Sequence, residues 1–347
     1  MSVRVLEGDS LAMLRTLPAG TFQTCVTSPP YFGLRDYGVE GQMGLEESPE
    51  AFIAGMVSVF REVRRVLRDD GTLWLNIGDS YAGPNNGYSG DSRPSNATSL
   101  SRGSEGQRGC GQVRKMGPGL KTKDLIGIPW MLAFALRADG WYLRADIIWH
   151  KPNPMPESIK DRPTKAHEYV FLLTKQPRYF YDADAIAEGV AEATVVRMAQ
   201  NVEAQRGSDR AHAGAKTNGP MKARVRGVDK QRGHSRRHAG FNDRWDAMSK
   251  DGQASMGRNS RSVWSIATEP FSDAHFATMP TELARRCILA GSREGDAVLD
   301  PFGGAGTTAL VADRLKRDAT IIELNPAYAE MARARLRNDA PLLADVA

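Results

Sequence analysis

The sequence predicts an α/β protein with a mostly parallel β-sheet that is covered by helices on both faces. Two observations favour this class. Short apolar runs typical of strands alternate along the chain with amphipathic helical patterns. Two of the strands also end in loops, one rich in glycine and one with two prolines, that suit ligand binding. Because ligands in such sheets bind beyond the carboxyl ends of the strands, functional residues are expected there.

The first half of the chain begins with a strand over residues 3–6, followed by a helix over 10–17 that Ser10 can cap. A β-branched strand over 22–27 stops at two prolines, which cannot extend it. Residues 49–67 repeat apolar side chains at the i, i+3, i+4, i+7 spacing of an amphipathic helix, and Asp70-Gly71 ends that helix before a buried strand over 72–77. A helix over 125–138 and strands over 142–149 and 168–173 follow.

The sequence pattern of the second half predicts three helices, over 281–290, 307–315 and 326–337. It also predicts two strands between them, over 297–299 and 319–322. The 347 residues allow one large domain with insertions or two modest domains.

The composition indicates an ordinary globular protein, with 41% hydrophobic and 25% charged residues. No apolar run approaches the roughly 18 residues that cross a bilayer, and the first residues lack the pattern of a secretory signal. The three cysteines form no close pairs, so neither a disulfide framework nor a metal site is expected. These observations predict a cytoplasmic protein that does not act at a membrane.

The chain has a net charge of +5, and its excess of basic residues is concentrated in two segments. Residues 191–262 hold 15 Lys and Arg against 7 Asp and Glu, and residues 82–123 hold 7 against 2. Both segments are rich in Gly, Ser and Asn and poor in apolar periodicity. They are either solvated loops or arms that neutralise the phosphates of a nucleic acid.

The strand over 297–299 runs into a glycine-rich turn, Asp300-Pro-Phe302-Gly-Gly304-Ala-Gly306-Thr-Thr308, and then into a helix. Glycines there let the backbone approach a ligand closely. The turn lacks the full spacing of a dinucleotide or P-loop motif. Acidic side chains at this strand end and the next, Asp300 and Glu323, suit the hydroxyls of a ribose.

The strand over 22–27 ends in Ser28-Pro29-Pro30-Tyr31. Two prolines remove two backbone donors, which leaves rigid carbonyls free to accept hydrogen bonds beside the Ser28 hydroxyl. Such a cluster of acceptors suits an amino group, and Tyr31 supplies a flat face for a ring.

Together, in this order, the two motifs resemble the DNA amino-methyltransferases that use S-adenosyl-L-methionine, in the permuted group called the beta class. Other segments resemble family motifs in family order, namely 71–81, 148–156, 167–170 and 275–280. The resemblance covers roughly residues 3–180 and 262–337.

The resemblance implies a Rossmann-like methyltransferase fold with a seven-stranded type of sheet, circularly permuted and interrupted by the basic insertions. Residues 1–180, with the basic loop 82–123, would form the catalytic half, and residues 263–347 the cofactor-binding half. Residues 181–262 would form a target-recognition insertion. The implied partner is double-stranded DNA. A homodimer and a cognate restriction nuclease are left open.

The resemblance also assigns the site residues. Ser28, Pro29, Pro30 and Tyr31 would act on a base amine that is flipped out of the duplex. The cofactor would contact Asp9, His275, Ala277, Pro280, Asp300, Phe302, Gly304, Gly306, Thr307, Thr308, Glu323 and Asn325. The target base and DNA would contact His150, Lys151, Arg224, Arg226, Arg236 and Arg237.

Ser28 at the first position of its motif resembles the N4-cytosine enzymes, whereas N6-adenine enzymes more often have Asp there. N4 of cytosine is therefore favoured over N6 of adenine. Methylation at C5 of cytosine would need a thiolate in a motif of its own, and Cys25 lies inside a predicted strand as a core residue. A catalytically inactive nucleic-acid-binding module, or an RNA or protein methyltransferase, remains an alternative.

Overall fold

A computed structural model describes residues 2–82, 119–189, 257–269 and 278–339, together with the backbone of 345 and 346. The chain forms two compact units, one of Met1–Asp182 with Arg261–Ala347 and one of Ala183–Ser260. In the second unit, Glu188 and Arg258 pair in an antiparallel bridge through two backbone hydrogen bonds of 2.8 Å. Their side chains form an ion pair at 3.0 Å.

The first unit contains one nine-stranded sheet. Its strands are β1 (Ser2–Glu7), β2 (Phe22–Thr27), β3 (Leu67–Ile77), β4 (Tyr142–His150), β5 (His167–Thr174), β6 (Val263–Ser265), β7 (Ala297–Asp300), β8 (Asp318–Glu323) and β9 (Asp345–Val346). Its described helices are α1 (Ser10–Thr16), α2 (Pro49–Val66), α3 (Ile128–Ala138), α4 (Thr281–Gly291), α5 (Thr307–Arg314) and α6 (Pro326–Asp339). The spatial order is β6-β4-β5-β3-β2-β7-β8-β1-β9.

One described strand, β5, runs opposite to the others, because both of its pairings are antiparallel while the remaining neighbours are parallel. Its first residues therefore lie beside the last residues of β3 and β4. Tyr169 pairs with Ile77, and His167 pairs with His150. The beginning of β5 thus joins the carboxyl ends of the parallel strands at one edge of the sheet.

Helices cover both faces of the sheet. The fully buried Cys25 and Leu73 belong to a hydrophobic cluster that includes Leu14 of α1, Phe52 of α2 and Leu132 of α3. The adjacent Thr24 and Thr72 face the other way and meet Gly291 of α4. Since successive residues of a strand point to opposite faces, α1–α3 and α4 lie on opposite sides.

The predicted α/β class and mostly parallel sheet are confirmed. The predicted helices and strands are all present, with bounds shifted by a few residues. The sequence missed β6 and β9, because strands of three and two residues are too short to show a periodicity. The circular permutation stays a prediction.

Two local predictions differ from the structure. Asp9 rather than Ser10 caps α1, with its Oδ1 atom accepting from Ala12 N at 2.8 Å. Ser10 instead donates its hydroxyl hydrogen to the Pro301 carbonyl at 2.7 Å. The Asp70-Gly71 turn lies within β3, where the pairing with β2 shifts register between Phe22 and Thr24, so the extra residues form an irregularity in the strand.

Cys25 is fully buried in β2, which confirms its interpretation as a core residue. Burial, together with the charge of Asp300, raises the pKa of its thiol well above the usual value. Among the described helices, none is long and apolar enough to cross a membrane.

Gly306 closes the glycine-rich turn against α6. Its φ of 75° lies in the left-handed region, and a Cβ added there would lie 2.9 Å from Ala332 Cβ, closer than such atoms approach. The turn therefore needs glycine here both for its backbone conformation and for the close packing of α5 on α6.

Gly306→Ala should lower the free energy of unfolding more than Gly295→Ala. Both glycines have positive φ, but an added Cβ at Gly295 meets nothing within 4 Å. Gly295→Ala should cost about 1–2 kcal/mol for the backbone conformation, and Gly306→Ala about 1–3 kcal/mol more for overpacking. Urea unfolding measures both, and equal losses would contradict the packing role of Gly306.

Candidate active site

The two predicted motifs meet at the carboxyl edge of the sheet, because β2 pairs directly with β7. Thr24 pairs with Val298 and Cys25 with Leu299, so the loops after both strands leave the sheet side by side. A single cavity is lined by residues of both loops and of their neighbours. Of the predicted site residues, the cavity wall includes Asp9, Ser28, Pro29, Pro30, Tyr31, Lys151, Asp300, Phe302, Gly304, Thr307, Thr308, Glu323 and Asn325.

Asp300 is a buried carboxyl group surrounded by hydrogen-bond donors. Its side chain accepts from the hydroxyls of Thr27 and Thr308, both at 2.7 Å, and from the backbone N–H of Phe302 at 3.0 Å. Burial raises its pKa to about 7, although these three hydrogen bonds act in the opposite direction. Thr27 and Thr308 therefore hold Asp300 in place, and Asp300 in turn links β2, β7 and α5.

Glu323 ends β8 on the other side of the glycine-rich turn. One carboxylate oxygen accepts from Gly304 N at 2.7 Å and the other from Asn325 N at 2.8 Å. Burial raises the pKa of Glu323. Each oxygen keeps a lone pair for a further donor, so the carboxylate can bind two hydroxyl groups of a ligand. Asn325 also starts α6, since its Oδ1 accepts from Ala327 N at 2.9 Å.

The Ser-Pro-Pro-Tyr loop is packed tightly on both sides of Tyr31. A Cβ added at Gly78 would lie 2.6 Å from Tyr31 Cε2, so the ring lies directly against the backbone at the end of β3. A Cβ added at Gly44 would lie 3.0 Å from the Tyr31 carbonyl oxygen. Ser28 Oγ lies 3.5 Å from the Tyr31 hydroxyl, at the long limit of a hydrogen bond.

Two members of a buried polar cluster behind Tyr31, Glu168 and Asn76, were not assigned to the site from the sequence, whereas Lys151 was. The Tyr31 hydroxyl donates to Glu168 Oε2 at 2.6 Å, Asn76 Nδ2 donates to the same oxygen at 3.2 Å, and Lys151 forms an ion pair with Glu168 Oε1. Burial and the charge of Glu168 raise the pKa of Tyr31 well above its usual value. Glu168 and Asn76 lie within segments that resemble family motifs, but their convergence depends on the reversed direction of β5.

Further residues of the cavity wall also went unassigned. They include Tyr37 and Tyr328, whose rings meet edge to face with centroids 6.3 Å apart. Trp149, Arg35 and Glu269 line the cavity as well. Apart from Trp149, which lies in β4, these side chains lie in loops or at a helix start without a recurring spacing, so the sequence carries no signal that places them together.

Three predicted residues are described but do not line the described cavity. His150 is exposed, and its Nδ1 lies 3.1 Å from Ser265 Oγ on β6. Pro280 precedes α4 as its N-cap, and Gly306 faces α6. The remaining predictions lie outside the described residues: His275, Ala277, Arg224, Arg226, Arg236 and Arg237, with most of the loop 82–123.

The chain is similar to known methylating enzymes along most of its length. A family model described as DNA methylase, of the N6 and N4 type, matches residues 22–334. The chain is 42% identical over 336 residues to the type II methyltransferase M.Cfr9I of Citrobacter freundii. The alignment covers 96% of this chain and 88% of that protein. It is 40% identical over 336 residues to M.SmaI of Serratia marcescens, which covers 96% of this chain and 91% of that protein.

Solved structures with the same fold include a protein of Thermus thermophilus in complex with S-adenosyl-L-methionine. Its TM-score is 0.54 and its sequence identity is 23%, and the match covers 99% of this chain and 97% of that one. The cytosine-N4-specific PvuII DNA methyltransferase has a TM-score of 0.58 and 18% identity over 96% of this chain and 86% of that one. At these identities the likeness concerns the fold alone.

Asp300→Asn should change how stability depends on pH. A carboxyl group whose pKa is about 7 in the folded protein, against 3.8 ordinarily, stabilises the fold at low pH and loses that contribution as the pH rises through this window. Wild type should therefore lose about 2–3 kcal/mol relative to Asp300→Asn between pH 5 and pH 8. Urea unfolding across this range measures the difference. A constant difference would contradict the raised pKa.

Proposed function

This chain belongs to the N6/N4 family of DNA methylases, type II enzymes that use S-adenosyl-L-methionine, and we propose that its target is the N4 amino group of cytosine in double-stranded DNA. The observation that carries the proposal is the single cavity lined by both the Ser-Pro-Pro-Tyr loop and the glycine-rich turn with Asp300 and Glu323. Such a cavity can hold a methyl donor and a base amine next to each other, which is the arrangement that direct transfer requires.

The cavity wall fits S-adenosyl-L-methionine by charge and shape. Five acidic residues line the cavity against two basic ones, Arg35 and Lys151, and the cofactor carries a net positive charge at its sulfonium end. Glu323 is suited to the two ribose hydroxyls, while Phe302 and Tyr328 offer apolar surface to the adenine ring. Asp9 adds negative charge to the same wall. When bound, the cofactor supplies the methyl group.

The Ser-Pro-Pro-Tyr loop would prepare the amine for attack. An exocyclic amine is a poor nucleophile, because its lone pair is conjugated into the ring of the base. Ser28 Oγ and the Pro29 carbonyl oxygen, each accepting one N–H, would make the nitrogen more tetrahedral and direct its lone pair at the methyl carbon. The C–N bond forms as the C–S bond breaks, and the nitrogen then releases one proton to water. No covalent intermediate with the enzyme is involved.

The target base must leave the duplex to reach this cavity, since its amine is otherwise paired within the helix. Tyr31 and Lys151 line the part of the cavity beside Ser28 and are suited to contact the flipped base. The two basic segments, 82–123 and 191–262, are suited to the phosphate backbone and to target recognition, with net charges of +5 and +8.

The main alternative target is N6 of adenine, since both bases present an NH₂ group of the same geometry. Ser28 supports cytosine through its resemblance to the N4 enzymes, which more often have serine at this position. The intact Ser28–Tyr31 and Asp300–Gly306 motifs argue against an inactive DNA-binding module. The basic segments and family membership favour DNA over RNA or protein.

Unmethylated genomic DNA incubated with the purified protein and S-adenosyl-L-methionine should gain N4-methylcytosine, measured by nucleoside mass spectrometry. Sequencing of the product maps the sites. N6-methyladenine in place of N4-methylcytosine would overturn the proposed target and keep the enzyme class. Absence of both modified bases across varied DNA would contradict the proposed function.

Ser28→Ala should lower kcat by about 100-fold, because the variant loses one of two acceptors that act on the amine in the transition state. The dissociation constant of S-adenosyl-L-methionine should stay within about twofold of wild type. Ser58→Ala serves as the control, since its hydroxyl donates only to Ala54 O on the exposed side of α2. An unchanged kcat in Ser28→Ala would contradict the role of this hydroxyl.

Replacing Arg224, Arg226, Arg236 and Arg237 by Gln should weaken DNA binding and reduce its salt dependence. The slope of log K against log salt should fall by up to about 3–4, because each phosphate contact contributes about 0.9. The control changes the net charge equally with four exposed arginines on helices, Arg15, Arg61, Arg285 and Arg337. Equal effects of both sets would show that total charge, rather than the insertion, sets the slope and would contradict the proposal.

A further inference from the structure

Side chains from β3 and from the segments that follow β2 and β4 converge on one carboxylate at the beginning of β5. We infer that Glu168 is a positioning residue of the target-base pocket, which fixes the direction of the Tyr31 and Ser28 hydroxyls so that Ser28 presents its lone pairs to the target amine. This inference rests on the proposed function, and it adds to the reaction a residue that does not itself touch the base amine.

The contacts of Glu168 join the loop after β2 to β3 and to the residue after β4. Its Oε2 accepts from the Tyr31 hydroxyl at 2.6 Å and from Asn76 Nδ2 at 3.2 Å. Its Oε1 forms the ion pair with Lys151 Nζ. Among the described residues, the polar contacts of each carboxylate oxygen are therefore with hydrogen-bond donors, and the four side chains all line the cavity that contains Ser28.

The cluster is largely removed from water, so a change in its hydrogen bonds or ion pair is costly. The side chains of Glu168 and Lys151 are 14% and 18% exposed, so the charge of each is compensated mainly by the other. Lys151 Nζ also lies 4.4 Å from the centre of the Trp149 ring, which fixes the ammonium group from its other side. A buried group in such a cluster that loses its partner keeps the full cost of its desolvation.

The negative charge of Glu168 determines the direction in which the hydroxyls of Tyr31 and Ser28 donate their hydrogen bonds. An ionised carboxylate only accepts hydrogen bonds, and Glu168 Oε2 lies 2.6 Å from the Tyr31 hydroxyl oxygen against 3.3 Å for Asn76 Oδ1, so the one hydroxyl hydrogen of Tyr31 points at Glu168. The oxygen of Tyr31 is then free to accept from Ser28, whose Oγ lies 3.5 Å away. With its own hydrogen directed at Tyr31, Ser28 turns its lone pairs to the cavity, where an amine N–H can donate to them. Catalytic hydrogen bonds that are long in a free enzyme shorten when substrate binds.

The backbone of Gly78 lies against the same ring. A Cβ at this position would lie 2.6 Å from Tyr31 Cε2 and 3.0 Å from Cδ2. The ring is thus held by the backbone of Gly78 and, through its hydroxyl, by the carboxylate of Glu168. Two independent substitutions can therefore disturb the Tyr31 hydroxyl. Glu168→Gln acts through its hydrogen bond, and Gly78→Ala acts through the ring.

Glu168→Gln should lower kcat by about 10–100-fold, with the KM for DNA within about threefold and the dissociation constant of S-adenosyl-L-methionine within about twofold of wild type. Glutamine keeps the shape of the side chain, but its NH₂ group must face donors in either orientation, Tyr31 and Asn76 on one side or Lys151 on the other. Methyl transfer is measured on a duplex that carries the mapped site. Glu62→Gln is the matched control, because its carboxylate pairs with Arg65 at 2.6 Å on α2, away from the cavity.

A double-mutant comparison separates positioning from a general structural effect. If Glu168 acts through the hydroxyl of Tyr31, then Glu168→Gln should lower kcat little further in a Tyr31→Phe protein. Gly78→Ala should displace the ring and reproduce the loss of kcat with Glu168 intact. The Gly78→Ala variant also tests the role of the Tyr31 hydroxyl if the Glu168→Gln protein does not fold.

Wild-type kcat in folded Glu168→Gln would overturn the inference, as would losses that add fully in the double variant. Wild-type kcat in Gly78→Ala would overturn it when Glu168→Gln is unfolded. These results leave the proposed function intact as long as the wild-type protein methylates DNA. If the wild-type protein transfers no methyl group to any DNA, the proposed function fails and the inference falls with it.

Discussion

The hydrogen bonds between β2 and β7 are the constraint on which the site depends. They join strands whose end loops, at Ser28 and Asp300, lie in opposite halves of the sequence, and place those loops next to each other. Side chains reinforce the junction, because Thr27 and Thr308 both donate to Asp300. The Ser-Pro-Pro-Tyr loop and the glycine-rich turn therefore follow directly from paired strands at one sheet edge, so the distance between them is set by backbone pairing rather than by a flexible hinge.

Buried acidic groups are the cost of this arrangement. Asp300 and Glu323 both have raised pKa values because they are removed from water, and the hydrogen bonds around them offset only part of that cost. Glu168 is compensated differently, by the ammonium group of Lys151. Burial of these groups costs fold stability, but it fixes their oxygens in the cavity wall before a ligand arrives, so that the wall need not reorganise when a ligand binds.

The sequence predicted the α/β class, the principal strands and the two loops, since periodicity and Pro or Gly punctuation are local signals. It could not predict the role of Glu168, because a strand pattern does not reveal the direction in which β5 runs. It placed His150 in the pocket, but alternation along β4 turns His150 towards Ser265 and leaves Lys151, one residue later, at the cavity. Asp9 was assigned to a ligand and also caps α1, a second role that only the coordinates of Ala12 N reveal.

The antiparallel bridge between Glu188 and Arg258 means that the polypeptide of the second unit departs and returns at neighbouring points. The closure entropy of a loop grows only slowly with its length. A substituted segment with the same two ends would therefore be tolerated over a wide range of sizes. The proposed target-recognition segment could then be exchanged for one of another length without a change in the sheet that carries the cavity.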